Sequence, residues 1–300
     1  VKIVIAGGTG LIGRHLTGHL IKQGHEVMIL SRSPKKTGNS SLHYVRWLNE
    51  GDQPDKELEG AEAFVNLAGT TINSRWTSKG KEAIVQSRLK AVSEIHRIIS
   101  KLALKPAVLI NASAIGYYGT SEEETFTENA GTPGVDFLAD TVIQWEEAAA
   151  KTEQLGVRIV LCRFGVVLDQ AEGALPKMVT PYNMFAGGTI GTGRQWLSWI
   201  HIEDVSRALG FVLEQEAISG PVNFTAPHPV QMKTFGKELA SVLNKPHWLP
   251  VPGFALKMLL GEMSLLVLEG QRVLPEKLLA HGFEFNYPTL HGALTEIFKK

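Results

Sequence analysis

The sequence predicts an α/β fold, a doubly wound parallel sheet carrying a smaller, mainly helical C-terminal lobe. Three observations carry that prediction. At the N-terminus a short apolar strand runs directly into a glycine-rich turn and then a helix. Short β-branched runs next alternate with amphipathic helical stretches as far as about residue 164. Beyond that point lie ten of the fourteen prolines and a glycine cluster at 187–193, and the regular alternation stops.

Val1 to Ala6 is apolar and β-branched, as a strand buried on both faces requires. Gly8-Thr9-Gly10-Leu11-Ile12-Gly13 follows at once and satisfies G-x-G-x-x-G. Leu11, Ile12, Leu16, Leu20 and Ile21 recur at helical spacing, and Gly24 marks the stop. A second strand, Val27 to Leu30, closes in Ser31-Arg32. Glycines permit a tight turn and close approach of backbone to a pyrophosphate, which the free N–H groups and positive end of the helix then face. A dinucleotide site is therefore expected on Gly7, Gly8, Thr9, Gly10, Leu11, Ile12 and Gly13. A glycine turn that binds nothing is the bland alternative, and the intact strand–turn–helix–strand order argues against it. Arg32 stands roughly twenty residues after the glycines, where an acid would accept ribose hydroxyls and an arginine accommodates a 2′-phosphate. With Ser31 as a further donor, NADP is expected in preference to NAD; the alternative is an ordinary surface arginine.

Ser33 to Ser41 reads as a surface loop and His43 to Trp47 as a third strand, followed by a charged loop or short helix from Asn49 to Gly60. Ala63 to Gly69 is another buried strand, and its small terminal residues leave room where a doubly wound sheet binds ligands. After the loop with Asn73, Arg75 and Trp76, Ile84, Leu89, Val92, Ile95, Ile98 and Ile99 form a helical stripe from Ser78 to about Lys101. Val108 to Ala112 is a strand leading into Ser113 to Gly119. A polar, acidic loop, Ser121 to Gly134, precedes a second long helix from Asp136 to Leu155, stopped by Gly156. Val157 to Cys162 is one more strand.

Gly173 to Gly193, with Pro176, Pro181 and a Gly/Thr cluster, reads as irregular. Trp196 to Ile202 is strand-like, Glu203 to Gln215 helical, and Pro221 to Thr225 is placed back in the main sheet. Met232 to Asn244 is an amphipathic helix, and Pro246, Pro250 and Pro252 bound a final helical stretch from Phe254. The division expected is a dinucleotide-binding domain over 1–164 and a substrate lobe over 165–300, with an extension over 246–300.

The chain balances 30 basic against 30 acidic side chains, without a basic block, so no nucleic-acid partner is expected. The single cysteine, Cys162, lies in an apolar run and reads as a core thiol. Scattered His and carboxylates show no metal spacing, so no metal is expected. No apolar stretch reaches membrane-spanning length and the chain opens as a strand, which leads us to expect a cytoplasmic protein with no membrane partner.

The residues together resemble the extended short-chain dehydrogenase/reductase superfamily, a Rossmann-fold class that includes nucleotide-sugar epimerases. The resemblance rests on Gly7-x-x-Gly10-x-x-Gly13, Asn66-Leu67-Ala68-Gly69, Ser113 before Tyr118-Gly119, and Trp199-Ile200-His201-Ile202-Glu203-Asp204. The chain is most similar to an NAD(P)-dependent epimerase-like subfamily with a C-terminal helical extension. Arg75-Trp76-Thr77, Ser87-Arg88, Gln195 to Ile202 and Leu268-Glu269-Gly270-Gln271 carry that closer likeness. It implies that Leu67, Ala68 and Gly69 line the adenine and ribose side, that Arg88 faces the cofactor, and that Gly165 and Val166 lie near the nicotinamide. It also implies hydride transfer to or from a small carbonyl or hydroxyl substrate, with Ser113 at the superfamily's serine position; Tyr118, five residues on beside Tyr117, is the candidate substitute proton donor, and aromatic packing is the alternative for either tyrosine. The two long helices resemble those that pair in superfamily dimers, which allows a homodimer. One element departs from the superfamily. Its Tyr-x-x-x-Lys, in which Lys lowers the Tyr pKa, has no counterpart in Asp136 to Val142. A non-catalytic NADP(H)-binding redox sensor is therefore the alternative function.

Overall fold

Strands whose alternate side chains are all apolar must be covered on both faces. The computed structural model, which describes residues 1–73 and 75–299, shows how this is done. β1 (Lys2–Ala6), β2 (Glu26–Ser31), β3 (Leu42–Arg46), β4 (Ala63–Asn66), β5 (Val108–Ala114), β6 (Arg158–Phe164) and β7 (Gly220–Phe224) form one sheet. Its order is β7-β6-β5-β4-β1-β2-β3, and every pairing is parallel. Ile3, Ile5, Val27, Ile29 and Val160 face one side, beneath α1 (Leu11–Lys22). Val4, Leu30, Phe64, Leu109 and Leu161 face the other, beneath α2 (Ser78–Lys101) and α3 (Phe137–Ala150). The chain leaves β1 toward β2 and β3, then returns to β4 on the opposite flank. Strand order thus reverses between β1 and β4, and a crevice opens at their C-terminal ends.

The lobe has a core of its own. α4 (Leu175–Asn183), α5 (Ile202–Glu214) and α6 (Met232–Leu243) follow in order. α5 lies beside α1 on the first face of the sheet, contributing Val205, Leu209 and Val212 to that core. Leu175, Trp199, Phe235 and Leu239 meet Leu294 of the last helix in a separate cluster. Three short pairings stitch the parts: Val166–Leu168 with Trp199–His201, Trp196–Leu197 with Val230–Gln231, and Thr125–Phe126 with Arg272–Val273.

Four readings of the sequence are refined. β7 does join the main sheet, beginning one residue before the expected Pro221. Regular helix in α3 ends at Ala150, the chain tightens to a 3₁₀ turn over Lys151–Leu155, and Gly156 stops it at φ +79°. Gly173 to Gly193 is not irregular throughout, because it contains α4 despite Pro176 and Pro181. Pro176 lies in the first turn, where N–H groups have no helical partner, and burial of Leu175, Val179 and Tyr182 offsets the bond that Pro181 cannot make. Trp196 to Ile202 is divided at Ser198, whose hydroxyl donates to the Gln271 carbonyl (2.8 Å) while its own carbonyl accepts from Val166 (2.8 Å).

The C-terminal extension is anchored in the principal core. Leu278 is fully buried in the same cluster as Ile3, Val160 and Phe224. Leu278→Ala is expected to lower the unfolding free energy by about 2–5 kcal/mol, as for large-to-small core changes. Denaturant unfolding should show this as one cooperative transition; a separate early transition of the extension would contradict its integration.

Candidate functional site

The turn after β1 is built on backbone contacts that admit no side chain. Gly7 has φ +78°, and a Cβ there would stand 2.6 Å from the Leu67 carbonyl carbon. At Gly13 a Cβ would meet the Gly7 oxygen at 2.3 Å, so only glycine lets α1 start this close to the strand end. Gly10 donates to the Gly7 carbonyl (3.0 Å) and serves as N-cap without a side-chain bond. The first turn of α1 carries no acid, and the N–H groups of Leu11, Ile12 and Gly13 have no intrahelical acceptors. Thr9 and Gly10 are exposed, and Arg14 braces the turn by donating to the Thr9 carbonyl at 2.7 Å. The result is a rimmed, uncapped helix N-terminus, a geometry that fits a pyrophosphate.

Ser31 closes β2, its Oγ accepting from the Ser33 N–H (3.2 Å), and the next side chain, Arg32, is exposed. Across the crevice, the Leu67 N–H donates to the Ala6 carbonyl (2.8 Å) and the Ala68 N–H to Asn66 Oδ1 (3.1 Å). Asn66 Nδ2 donates in turn to Asn111 Oδ1 (2.7 Å), tying the ends of β4 and β5 together. Arg88 lies against Gly69, donates to the carbonyls of Thr70 (3.1 Å) and Ile84 (2.9 Å), and stands 4.9 Å over the Trp145 ring. Burial brings its pKa down to about 10, which leaves the guanidinium charged at neutral pH. Gly165 and Val166 have their N–H groups engaged by the carbonyls of Phe224 (3.0 Å) and Ser198 (2.8 Å). The Val166 carbonyl is in turn committed to the parallel pairing with Trp199–His201.

The Ser113 region is a buried polar cluster. Ser113 and Arg163 are opposite one another in the β5–β6 register, so both side chains point toward α3. There Glu146 accepts from Ser113 Oγ (2.5 Å) and, bidentately, from Arg163 Nε and Nη2 (2.8 Å each). Arg163 Nη1 has no hydrogen-bond partner, and the guanidinium carbon stands 3.5 and 5.0 Å from the centres of the Tyr117 and Tyr118 rings, which offer the cation their π faces. Burial works against the Arg163 charge, but the bonds and charge of Glu146 outweigh it and raise the pKa. Neither Glu146 nor Arg163 was expected from the sequence. The available signal was a lone Arg ending the apolar run of β6 and a Glu on a helix otherwise facing the core.

Tyr118, expected as a proton donor, is buried, and its hydroxyl donates to Asn223 Oδ1 (2.8 Å). Burial pushes its pKa up, so it stays protonated. Tyr117 is the half-buried member of the pair. On α3 the segment expected to lack Tyr-x-x-x-Lys places Leu138 against Gly116. The other carboxylates near the cleft have structural partners. Asp136 caps α3 by accepting from Leu138 (2.8 Å) and Ala139 (3.0 Å), Asp140 accepts from Gln144 (2.8 Å), and Glu128 accepts from the Asn223 (2.9 Å) and Lys277 (3.2 Å) N–H groups. His201 is buried and caps α5, accepting from the Glu203 N–H at 3.1 Å. Among the described residues no group of three or more His, Cys, Asp or Glu side chains could hold a metal ion, and no helix is long and apolar enough to cross a membrane.

Residues 3–224 match the profile of the NAD dependent epimerase/dehydratase family, and residues 251–297 match a domain of unknown function, DUF1731. Epimerase family protein YfhF of Bacillus subtilis is 51% identical over 297 residues, spanning 99% of this chain and 98% of that protein. Epimerase family protein SERP0438 of Staphylococcus epidermidis is 41% identical over 298 residues, 99% of each. Among solved structures, human epimerase family protein SDR39U1 (isoform 2) with NADPH superimposes with a TM-score of 0.87 at 30% identity over 99% of both chains. MoeE5 in complex with UDP-glucose and NAD shares the fold, with a TM-score of 0.78 at 17% identity.

Two outcomes follow from the buried charges and rings. Glu146→Gln removes the charge that compensates Arg163, and denaturant titration should show a loss of about 3–5 kcal/mol. Burial holds His201 below its ordinary 6.5. Its neutral form therefore contributes stability above the unfolded-state pKa, and that contribution is lost as pH falls through the lower folded-state pKa. His19, His25 and His247, also lowered by burial, act in the same direction. His201→Asn keeps a capping acceptor, so the fall in Tm between about pH 7 and pH 5 should be shallower in that variant; an unchanged slope would show that His201 is not a contributor.

Proposed function

Because the chain belongs to the NAD-dependent epimerase/dehydratase family, we propose that it binds NADP(H) in the crevice between β1 and β4. There it acts as an oxidoreductase or epimerase on a small carbonyl or hydroxyl substrate. The observation that carries this reading is the uncapped α1 N-terminus behind a turn in which a side chain at Gly7 or Gly13 would collide with backbone. The NADPH named with SDR39U1, 30% identical over nearly the whole chain, supports the choice of dinucleotide.

In this reading Gly7, Gly8, Thr9, Gly10, Leu11, Ile12 and Gly13 hold the pyrophosphate through backbone N–H groups. Arg32 takes the 2′-phosphate as a bidentate donor with Ser31 beside it. Leu67, Ala68 and Gly69 line the ribose and adenine, Arg88 sets a positive charge behind Gly69, and the backbone of Gly165 and Val166 lies near the nicotinamide. Once bound, the cofactor supplies hydride acceptance and donation. Ser113 directs its proton to Glu146, so its oxygen is left as an acceptor for a substrate hydroxyl. The ion pair with Arg163 keeps that Glu146 oxygen in place. Tyr118, with its proton on Asn223, acts in this arrangement through Asn223.

The second reading is an NADP(H)-binding redox sensor without turnover. It is favoured by one observation: the Ser113 and Tyr118 protons both go to interior acceptors, Glu146 and Asn223. Hydride exchange between bound NADPH and any carbonyl substrate would eliminate it.

Titration with NADPH and NADH, followed by fluorescence, tests the cofactor assignment. NADPH should bind more tightly, and Arg32→Ala should lower its affinity about 10-fold or more while leaving NADH nearly unaffected, given the strength of charge-assisted bonds. Equal binding of both nucleotides by both proteins would overturn the NADP assignment. Failure of both nucleotides to bind would overturn the reading as a whole.

A further inference from the structure

The charge balance of the whole chain conceals a local imbalance. Across 173–202 and 226–261, the lobe carries six basic side chains (Lys177, Arg194, Lys233, Lys237, Lys245 and Lys257) and one acid, Glu238, which is bonded to His291 at 2.8 Å. The same two stretches hold seven of the eleven exposed large apolar side chains among the described residues. Four of them, Met184, Phe185, Trp248 and Leu249, sit on two segments that hydrogen bonds hold side by side.

That patch is built rather than loose. Trp248 Nε1 donates to the Phe185 carbonyl (2.9 Å), and the Trp248 and Leu249 N–H groups both donate to the Gly187 carbonyl (2.9 and 3.1 Å). Lys245 Nζ stands 3.9 Å from the centre of the Phe185 ring. His247 pins the ribbon between Tyr182 OH (3.0 Å) and Thr189 Oγ1 (3.1 Å). Phe185 itself holds φ +58°, a left-handed conformation that glycine would adopt at lower cost. A phenyl ring, 57% exposed, is thus maintained at a position whose backbone favours having none. The ribbon continues through Val251, bridged to Ile190, into the helix Gly253–Leu260. That helix buries none of its residues and exposes Phe254, Met258 and Leu259 around Lys257.

We propose that this face of the lobe docks the protein on an anionic phospholipid surface. Aromatic and thioether side chains interleaved with lysines, with no carboxylate left unengaged among them, match the chemistry of a headgroup layer. Rings enter the interface while amines stay at the phosphates. An acidic protein partner would satisfy the lysines but not the exposed phenyl, indole and aliphatic groups. Hydropathy along the chain misses such a surface because a span is contiguous in sequence, whereas this patch is assembled from two separate stretches.

Co-sedimentation of the intact protein with phosphatidylglycerol/phosphatidylcholine vesicles and with phosphatidylcholine vesicles provides the test. Binding to the anionic vesicles should be at least about 10-fold stronger and should fall sharply in about 0.5 M salt. Phe185→Ser/Trp248→Ser should reduce it about 10-fold or more, and so should Met184→Ser/Leu249→Ser, which removes no hydrogen bond and should leave the Tm unchanged. Equal sedimentation with both vesicle types, or with wild type and both variants, would overturn the proposal. So would binding to polyglutamate that equals binding to the anionic vesicles, since charge alone would then suffice.

Discussion

The ion pair between Glu146 and Arg163 holds the buried polar cluster around Ser113 together. It joins β6 to α3, and through Ser113 it also takes in β5, so three elements meet at one carboxylate. Removing two charges from water is unfavourable, and a buried pair of this kind roughly balances that loss against its attraction. What it contributes is definition. With both Glu146 oxygens engaged by a guanidinium, the Ser113 proton has one acceptor and the serine oxygen one orientation. The aromatic faces of Tyr117 and Tyr118 close over the same guanidinium, which places the half-buried Tyr117 at the rim.

At the other end of the crevice the controlling feature is steric. Strand β1, the turn and α1 approach β4 so closely that backbone meets backbone at Gly7 and Gly13. Such proximity exposes peptide N–H groups without any side chain in the way. The contrast is instructive: the nucleotide end is made of main chain and leaves little room for variation, whereas the Ser113 end is made of side chains contributed by β5, α3, β6 and β7.

The parts legible in the sequence were those written in local pattern. Short continuous apolar strands, the helical stripes of α2 and α6, and the glycine fingerprint all have signatures a few residues long, and each appears where expected. β7 was legible as well, because Val222 and Phe224 alternate between turn residues. What escaped depended on contacts distant in sequence. Glu146 gains its meaning only from Arg163, and the role of Asn223 as the partner of Tyr118 needs β7 to arrive beside β6. The helix α4 was hidden for a different reason, since Pro181 contradicts helix locally and is outweighed by burial of Val179 and Tyr182.

The C-terminal extension reaches back into the centre of the molecule. Asn223 donates to the Leu274 carbonyl (2.9 Å), Gln271 to the Ile115 carbonyl (2.9 Å), and the Lys277 N–H to the same Glu128 oxygen that receives the Asn223 N–H. During synthesis these partners emerge only after all seven strands of the main sheet. A nascent chain that has released all seven strands of the main sheet still has Glu128, Asn223 and the apolar seat of Leu278 unmatched. Closure of this region therefore depends on contacts long in sequence separation, and the edge at β7 keeps its polar groups unmatched until residues 271–278 dock.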